Sequence, residues 1–226
     1  MGEKSALIVG ASGLVGRELL QYLLNERDYR RVVTLVREPL GIQHPKLLEV
    51  PVDFDRLDTH RERFDVDDVF CCLGTTIKKA KTREEMAKVD IGYPLAVAKL
   101  AYENAAKQFL VISSMGADPD SRIWYSRMKG VLEQEVKKVG FPSLNIFRPS
   151  LLLGNRKEFR LGESAAASIL PLLSFLLVGS LKRYKAIQAK TVALAMYRSA
   201  QRDNHGITTY LSHEIEALAS QKYVKR

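Results

Sequence analysis

Cysteine is scarce in this chain: two of its 226 residues, Cys71 and Cys72, and they are adjacent. Neighbouring side chains on a strand point to opposite faces, so a disulfide between this pair is geometrically poor. The sequence also lacks the cysteine and histidine spacings of metal sites. We therefore predict two small buried side chains, no metal site and, because free cysteines are usual in reducing compartments, a cytoplasmic protein.

Long hydrophobic runs are lacking as well. The most apolar stretch, AAASILPLLSFLLVGSL at 165–181, contains Pro171 and is shorter than the roughly 20 residues that cross a bilayer. The first residues, MGEKSALIVG, do not have the layout of a signal peptide. We predict that 165–181 forms a buried or ligand-facing helix pair. Contact with a protein partner or a membrane surface through 165–185 is the alternative.

Acidic residues are in deficit, with 26 against 35 lysines and arginines, which gives a net charge of +9. The basic residues are scattered, with local concentrations at IKKAK (77–81) and LKRYK (181–185). Nucleic-acid-binding proteins usually group them on one element together with aromatic residues. The pattern therefore disfavours nucleic acid as a partner and favours anionic ligands or an acidic surface.

Short β-branched runs alternate with longer helical stretches over the first two thirds of the chain. The predicted strands are 5–10, 31–37, 47–54, 67–74, 108–116 and 143–154. The predicted helices are 16–26, 83–105, with a notch near Gly92 and Pro94, and 124–140. This alternation predicts an α/β fold, a Rossmann-type doubly wound parallel sheet, in a single domain over 1–226. Residues 155–226 break the rhythm, and we expect them to form a small helical cap on the substrate side.

A glycine motif stands where the first strand meets the first helix. Gly10 permits a tight turn, Gly13 lets the backbone approach a pyrophosphate, and Gly16 lets the helix pack close to the strand. The amino end of a helix offers unpaired N–H groups to phosphates. Since a strand precedes the motif and a helix follows it, the sequence predicts dinucleotide binding.

The end of the second strand indicates which dinucleotide is bound. An acidic residue there holds the ribose of NAD, whereas an arginine suits the 2′-phosphate of NADP. This chain has Arg37 there, and Arg17 follows the last glycine of the motif. We predict NADP(H) as the cofactor. Glu38 leaves NAD as the alternative.

A tyrosine and a lysine lie four residues apart on the helix after the fifth strand. This spacing puts Tyr125 and Lys129 on one face, and the preceding strand ends at Ser113 and Ser114. A neighbouring lysine cation favours the phenolate form of a tyrosine and so suits it to acid–base catalysis. We expect Ser114 to hold a substrate oxygen and Tyr125 to transfer a proton, while Ser113 points to the other face.

Six motifs together resemble the short-chain dehydrogenase/reductase superfamily, and within it the atypical, Tat-interacting-protein-like branch of NADPH-binding oxidoreductases. The motifs are the glycine triplet, CLGTT (72–76), VDIGYPLAVAKLA (89–101), ISSMGAD (112–118), YSRMKG (125–130) and FRPSLLLGNRKEFRLGE (147–163). The resemblance implies catalytic roles for Ser114, Tyr125 and Lys129. Asp90 departs from the pattern, because the superfamily frequently has asparagine there.

The resemblance also implies how NADP(H) is held. Residues at the pyrophosphate would be Gly10, Ser12, Gly13, Leu14, Val15, Gly16 and Arg17. The other cofactor contacts would be Arg37 at the 2′-phosphate, Asp53 and Phe54 at the adenine, Leu73, Gly74 and Thr75 at the ribose, Tyr125 and Lys129, and Leu152 and Arg160 near the nicotinamide end or the cap.

Two functions are compatible with these residues. The first is an NADP(H)-dependent oxidoreductase that acts on an apolar carbonyl or alcohol by hydride transfer, with Tyr125 as the acid/base. The second is an NADP(H)-binding sensor or scaffold with little turnover, which acts through a protein partner or a membrane surface.

Overall fold

A computed structural model of the chain describes residues 4–154, 185–202 and 204–221. Its strands are β1 Lys4–Val9, β2 Tyr29–Val36, β3 Leu47–Pro51, β4 Asp68–Cys71, β5 Gln108–Ile112, β6 Ser143–Arg148, β7 Leu152–Leu153, β8 Ile187–Gln188 and β9 Gly206–Leu211. Its α-helices are α1 Leu14–Asn25, α2 Ile77–Ala80, α3 Arg83–Ala87, α4 Tyr93–Glu103, α5 Trp124–Val139, α6 Ala189–Ala200 and α7 Ser212–Ser220.

Seven strands form one parallel sheet in the order β3-β2-β1-β4-β5-β6-β9. The order reverses between β1 and β4, which makes the crevice above their carboxyl ends the expected place for a ligand. A second, two-stranded pairing joins β7 to β8 close to that edge. The predicted doubly wound Rossmann-type sheet is confirmed.

Apolar side chains alternate along the central strands and build a core on each face of the sheet. On one face, Ala6 and Ile8 of β1 pack with α1, α6 and α7. On the other face, Leu7 and Val9 pack with α4, α5 and the 3₁₀ segment Phe54–Phe64. Both faces are covered, which is why the strands read as continuous apolar runs in the sequence.

The region after residue 184 differs from the expected cap. α6 packs against α1, and β9 pairs with β6 as the seventh strand, from Ser143↔Gly206 to Arg148↔Leu211. This strand, GITTYL, lies at the edge of the sheet and is exposed to half-buried, so it lacks the apolar run that marked the inner strands. The expectation of a substrate-side cap is therefore corrected for 187–220. For residues 155–184, which include Arg160 and the apolar stretch 165–181, the predicted cap lies outside the described residues.

The predicted helix 83–105 is interrupted. α3 ends at Ala87, a π-helical turn runs over Lys88–Gly92, and α4 begins at Tyr93 with Pro94 in its first turn. A π turn adds a residue to the helical repeat and shifts which side chains face inward. Within the described ranges, no helix is long and apolar enough to cross a membrane.

Candidate active site

The glycine turn has no room for side chains. Gly10 has a φ of +81°, and a Cβ on it would lie 2.5 Å from the Cys72 carbonyl oxygen. A Cβ on Gly16 would lie 2.2 Å from the Gly10 carbonyl oxygen. Gly10 therefore permits the turn, and Gly16 brings α1 close against it, as the sequence analysis expected.

The amino end of α1 is open toward solvent-accessible space. Gly13 is its N-cap residue, and among the described residues no side chain caps the helix by a hydrogen bond. The first turn contains Arg17 and no acidic residue. Uncapped amides, the helix dipole and a guanidinium together form a site suited to a phosphate group.

A cavity of about 1170 Å³ lies above the carboxyl ends of β1, β4, β5 and β6. It exceeds the roughly 300–1,000 Å³ usual for small-molecule sites, so it has room for a large ligand. Of the charged side chains that line it in the described part of the chain, Arg17, Lys79, Lys129 and Lys190 are basic and Glu18 is acidic. The cavity therefore favours anionic ligands.

Most of the predicted site residues meet at this cavity. Its lining includes Ser12, Gly13, Leu14, Val15, Arg17, Leu73, Gly74, Thr75, Ser114, Tyr125, Lys129 and Leu152. Gly10 and Gly16 shape the turn behind it.

Three predicted residues lie elsewhere in the structure. Arg37 follows β2 and is exposed. Asp53 caps the 3₁₀ segment by accepting the Asp55 N–H at 2.9 Å, and the buried Phe54 ring packs against Tyr93, with 5.3 Å between ring centroids. All three residues follow the carboxyl ends of the paired strands β2 and β3 and are not among the residues that line the cavity. Their predicted contact with the adenine half of a dinucleotide stays a prediction.

Ser114, Tyr125 and Lys129 line one wall of the cavity. Ser114 lies just past the end of β5, and the other two are on the first turns of α5. Ser113 differs from Ser114, because its hydroxyl donates a 2.5 Å hydrogen bond to Glu133 on α5. Glu133 in turn accepts two hydrogen bonds from Arg148 and raises the pKa of that guanidinium. Both serines line the cavity, and the Ser114 hydroxyl donates a 3.3 Å hydrogen bond to the Met115 carbonyl. The contact of Ser114 with a substrate stays a prediction.

Beneath this wall lies a buried ion pair. Asp90 Oδ1 is 2.7 Å from Lys129 Nζ, and their side chains are 0% and 3% exposed. Asp90 Oδ2 accepts the Thr75 backbone N–H at 2.8 Å. One carboxylate therefore connects the π turn, the loop after β4 and α5. The sequence shows Asp90 as a departure from the family pattern, but its ion pair with Lys129 was not predicted.

Gly130 also went unnoticed in the sequence. A Cβ on it would lie 2.2 Å from the backbone of Asp118 and Pro119, so the loop after β5 crosses α5 directly at this residue. The available signal was a glycine inside an otherwise well-formed helix, which often marks a close backbone approach.

The prediction of two buried cysteines holds for Cys71 and is wrong for Cys72. Cys71 is buried in β4, where burial raises the pKa of its thiol to about 12, and Cys72 is half-buried and lines the cavity. Neither is in a disulfide. In the ranges that the structure covers, no cluster of histidine, cysteine and acidic side chains has the arrangement of a metal site.

The family described as "NAD dependent epimerase/dehydratase family" matches residues 6–134, more than half of the chain. The chain belongs to this family. Protein HTATIP2 of Rattus norvegicus is 39% identical over 167 residues, which cover 72% of this chain and 69% of that protein. The predicted relation to the atypical short-chain dehydrogenases/reductases of the Tat-interacting-protein type is thereby confirmed.

Solved structures share the fold at low sequence identity. The Bordetella bronchiseptica enzyme WbmH in complex with NAD+ is 18% identical, has a TM-score of 0.70, and the match covers 98% of this chain and 84% of that one. MoeE5 in complex with UDP-glucuronic acid and NAD is 17% identical, with a TM-score of 0.69 and coverages of 91% and 75%. This chain thus has the NAD(P)-binding fold of its family.

Fungal relatives correct the expected location. Protein FMP52 of Candida albicans, named as mitochondrial, is 34% identical over 171 residues, which cover 73% of this chain and 75% of that protein. Similar proteins from Aspergillus terreus and Debaryomyces hansenii are also named as mitochondrial. The prediction of a cytoplasmic protein, based on free cysteines, is wrong. Free thiols describe redox chemistry and do not identify one compartment.

Proposed function

We propose that this protein is an NADP(H)-dependent oxidoreductase that interconverts a carbonyl and an alcohol, with Tyr125 as the acid/base. One observation carries the proposal: the uncapped amino end of α1 and the Ser114–Tyr125–Lys129 wall line the same cavity. A nucleotide gripped at the first would extend toward the second. The family and its fold support the cofactor class.

The residues present fit a dinucleotide. Two of the three glycines leave no space for a Cβ, and the third, Gly13, has its ideal Cβ position 3.1 Å from the Gly10 carbonyl oxygen. The backbone at this turn is therefore bare where a diphosphate would approach, and Arg17 adds a positive charge. Gly74 and Thr75 lie across the cavity, in reach of a ribose. NADP(H), when bound, supplies hydride transfer to or from the substrate carbon.

The preference for NADP(H) over NAD(H) rests on Arg37. It follows β2, the strand end where this fold reads the adenosine ribose, and its exposed guanidinium is available to a 2′-phosphate. A guanidinium donates two parallel hydrogen bonds to a phosphate. NAD(H) lacks the 2′-phosphate and therefore cannot accept them.

The protein's own groups divide the remaining work. Ser114 donates a hydrogen bond to the substrate oxygen, and Tyr125 gives or takes the proton at that oxygen. Lys129 lines the cavity one helical turn after Tyr125. We assign its ammonium to the cofactor ribose and to the electrostatic support of Tyr125. Leu151, Leu152 and Leu153, which also line the cavity, favour an apolar substrate.

NADPH consumption on a carbonyl panel tests this proposal. The panel should include nucleotide sugars, because UDP sugars are named with several of the solved neighbours. Tyr125→Phe should lower turnover by about 10²–10⁴-fold, the usual contribution of a general acid, while NADPH affinity stays near that of the wild type. Tyr102→Phe is the matched control, since that ring lies exposed on α4.

Two results would contradict the proposal. Equal turnover by wild type and Tyr125→Phe would remove the acid/base role. A wild-type protein that binds NADPH but consumes it with no member of a broad panel would favour the sensor or scaffold instead.

A further inference from the structure

The buried pair of Asp90 and Lys129 has a role beyond packing. We propose that Asp90 is a positioning residue of the active centre, which clamps the Lys129 ammonium as a fixed ion pair and limits the positive charge that reaches Tyr125. The inference rests on the proposed function in one respect only, that Tyr125 is the group that exchanges the proton.

Geometry makes the clamp tight. The 2.7 Å contact between Asp90 Oδ1 and Lys129 Nζ is an ion pair, and both side chains are almost fully shielded from water. The second oxygen is held by the Thr75 N–H at 2.8 Å. Both oxygens of the carboxylate are thus engaged, so Asp90 is fixed in place.

The chain builds this contact with a special piece of backbone. Asp90 lies in the π-helical turn Lys88–Gly92, and it is the buried residue of that turn. A π turn costs regular helical hydrogen bonding and recurs at functional sites in proteins. Here it turns a carboxylate inward, toward the loop after β4 and toward α5.

Other titratable groups around the pair do not take over its role. Cys71 of β4 faces the pair, but burial raises its pKa to about 12, so its thiol is neutral over the working range. Glu133, one turn further along α5, is engaged by Ser113 and Arg148. Tyr125 lies one turn before Lys129 on the same helix. Among the described residues, Asp90 is therefore the carboxylate in contact with the Lys129 ammonium.

The charge of Asp90 has a specific consequence. A neutral asparagine, which the resemblance leads one to expect at this position, would remove the negative charge that contacts the buried Lys129 ammonium. An aspartate in direct contact makes the pair a dipole with little net charge. Asp90→Asn should therefore increase the positive potential that Lys129 exerts at Tyr125.

Titration of the Tyr125 phenolate tests the inference without a substrate. Near-ultraviolet phenolate absorbance is recorded against pH with saturating NADP+, and the Tyr125→Phe spectrum is subtracted. Asp90→Asn should lower the midpoint of this difference titration by about one pH unit, since a nearby carboxylate is lost. Glu103→Gln is the control: it makes the same chemical change in an exposed pair with Arg61 and should not move the midpoint.

An unchanged or higher midpoint in Asp90→Asn would overturn the proposal. Because no turnover is needed, a protein that binds NADP+ and fails the carbonyl panel still gives a midpoint, so the two proposals fail separately.

A measurement on the wild type covers the case in which Asp90→Asn does not fold. Nitrogen-15 NMR of the lysine side chains, assigned with Lys129→Arg, should show a Lys129 ammonium signal that persists into the alkaline range, because a buried ion pair exchanges its protons slowly. Its disappearance at neutral pH, like that of an exposed lysine, would contradict the clamp.

Discussion

The strand ends define two edges of the sheet: the amino edge, where the parallel strands begin, and the carboxyl edge, where they end. At the amino edge, the Asp68 carboxylate is 1% exposed and accepts hydrogen bonds from the Tyr29 hydroxyl at 2.6 Å and from Lys4 Nζ at 3.1 Å. At the carboxyl edge, Asp90 is equally buried and holds Lys129 and the Thr75 amide. Both edges therefore bury an aspartate with a lysine, but only Lys129 of the two lysines also lines the large cavity.

The polar groups at the amino edge form hydrogen bonds with one another. Lys4 also donates to the Ala200 carbonyl at 2.6 Å, and Gln201 donates to the Tyr29 hydroxyl at 3.1 Å, so the end of α6 is tied to the first strands. Burial raises the pKa of both Asp68 and Tyr29, which keeps Tyr29 as a hydrogen-bond donor. Here the donors and acceptors satisfy one another, and the result is stability.

The carboxyl edge presents polar groups to a cavity instead. The first amides of α1 are uncapped by side chains of the described ranges, and Ser114 and Tyr125 face the same space. The comparison teaches that burial of charge does not distinguish a site from a support. A binding site differs from a purely structural ion pair in that the polar groups around its charge line a cavity.

The largest effect is expected from Gly16→Ala at the carboxyl edge. Its Cβ would meet the Gly10 carbonyl oxygen at 2.2 Å, a backbone clash that should lower the free energy of unfolding by about 3 kcal/mol and abolish NADPH binding. Gly92→Ala is the matched control, because its Cβ would have no neighbour within 4 Å. Urea denaturation and NADPH titration measure both effects; a Gly16→Ala protein with wild-type stability would contradict the close packing of α1.

Asp68→Ala at the amino edge should separate stability from binding. It leaves the Tyr29 hydroxyl and Lys4 without their carboxylate, which should cost about 2 kcal/mol of unfolding free energy. Asp68→Asn keeps an acceptor and should cost less. NADPH affinity should not change in either variant, and a large loss of affinity would show that the two edges are coupled.

Arg37→Glu sharpens the description of the carboxyl edge. Removing the guanidinium and adding a negative charge should weaken NADPH binding about tenfold or more, since charge-assisted hydrogen bonds to the 2′-phosphate are lost. NADH affinity should stay the same or rise, since an acidic residue at this strand end can hold the ribose of NAD. Glu38→Gln is the neighbouring control, and equal losses for NADPH and NADH in Arg37→Glu would remove the argument for NADP(H).

The smallest effect is expected at Asp67, next to Asp68. Burial alone would raise its pKa, but hydrogen bonds from Lys107 and from Ser5 lower it to about 2, below the ordinary 3.8. A depressed folded-state pKa adds stability that is present above about pH 4 and is lost as the pH falls through about 2. Asp67→Asn should therefore flatten the acid limb of stability between these values, as measured by urea midpoints; an unchanged limb would contradict the assignment.

Local patterns account for what the sequence predicted correctly. The glycine turn, the inner strands and the placement of Ser114, Tyr125 and Lys129 near one strand edge depend on short spacings and on the rule that parallel strands end at the same edge. These residues do line one cavity.

Features that depend on distant parts of the chain could not be predicted. β9 has half-exposed threonines and becomes a strand by pairing with β6. Gly92 and Pro94 indicated an irregular helix, but not that the π turn over Lys88–Gly92 brings Asp90 against Lys129. The approach of the loop at Asp118 to Gly130 exists only once α5 is packed.

Titration calorimetry of the purified protein with NADPH, and then with NADH, tests the central claim most directly: that the open amino end of α1 is a nucleotide site. The account predicts one saturable site for NADPH and weaker binding of NADH. Binding of neither nucleotide would contradict it: the polar groups at the carboxyl edge would then contribute to stability alone, and the proposed active centre would have no cofactor.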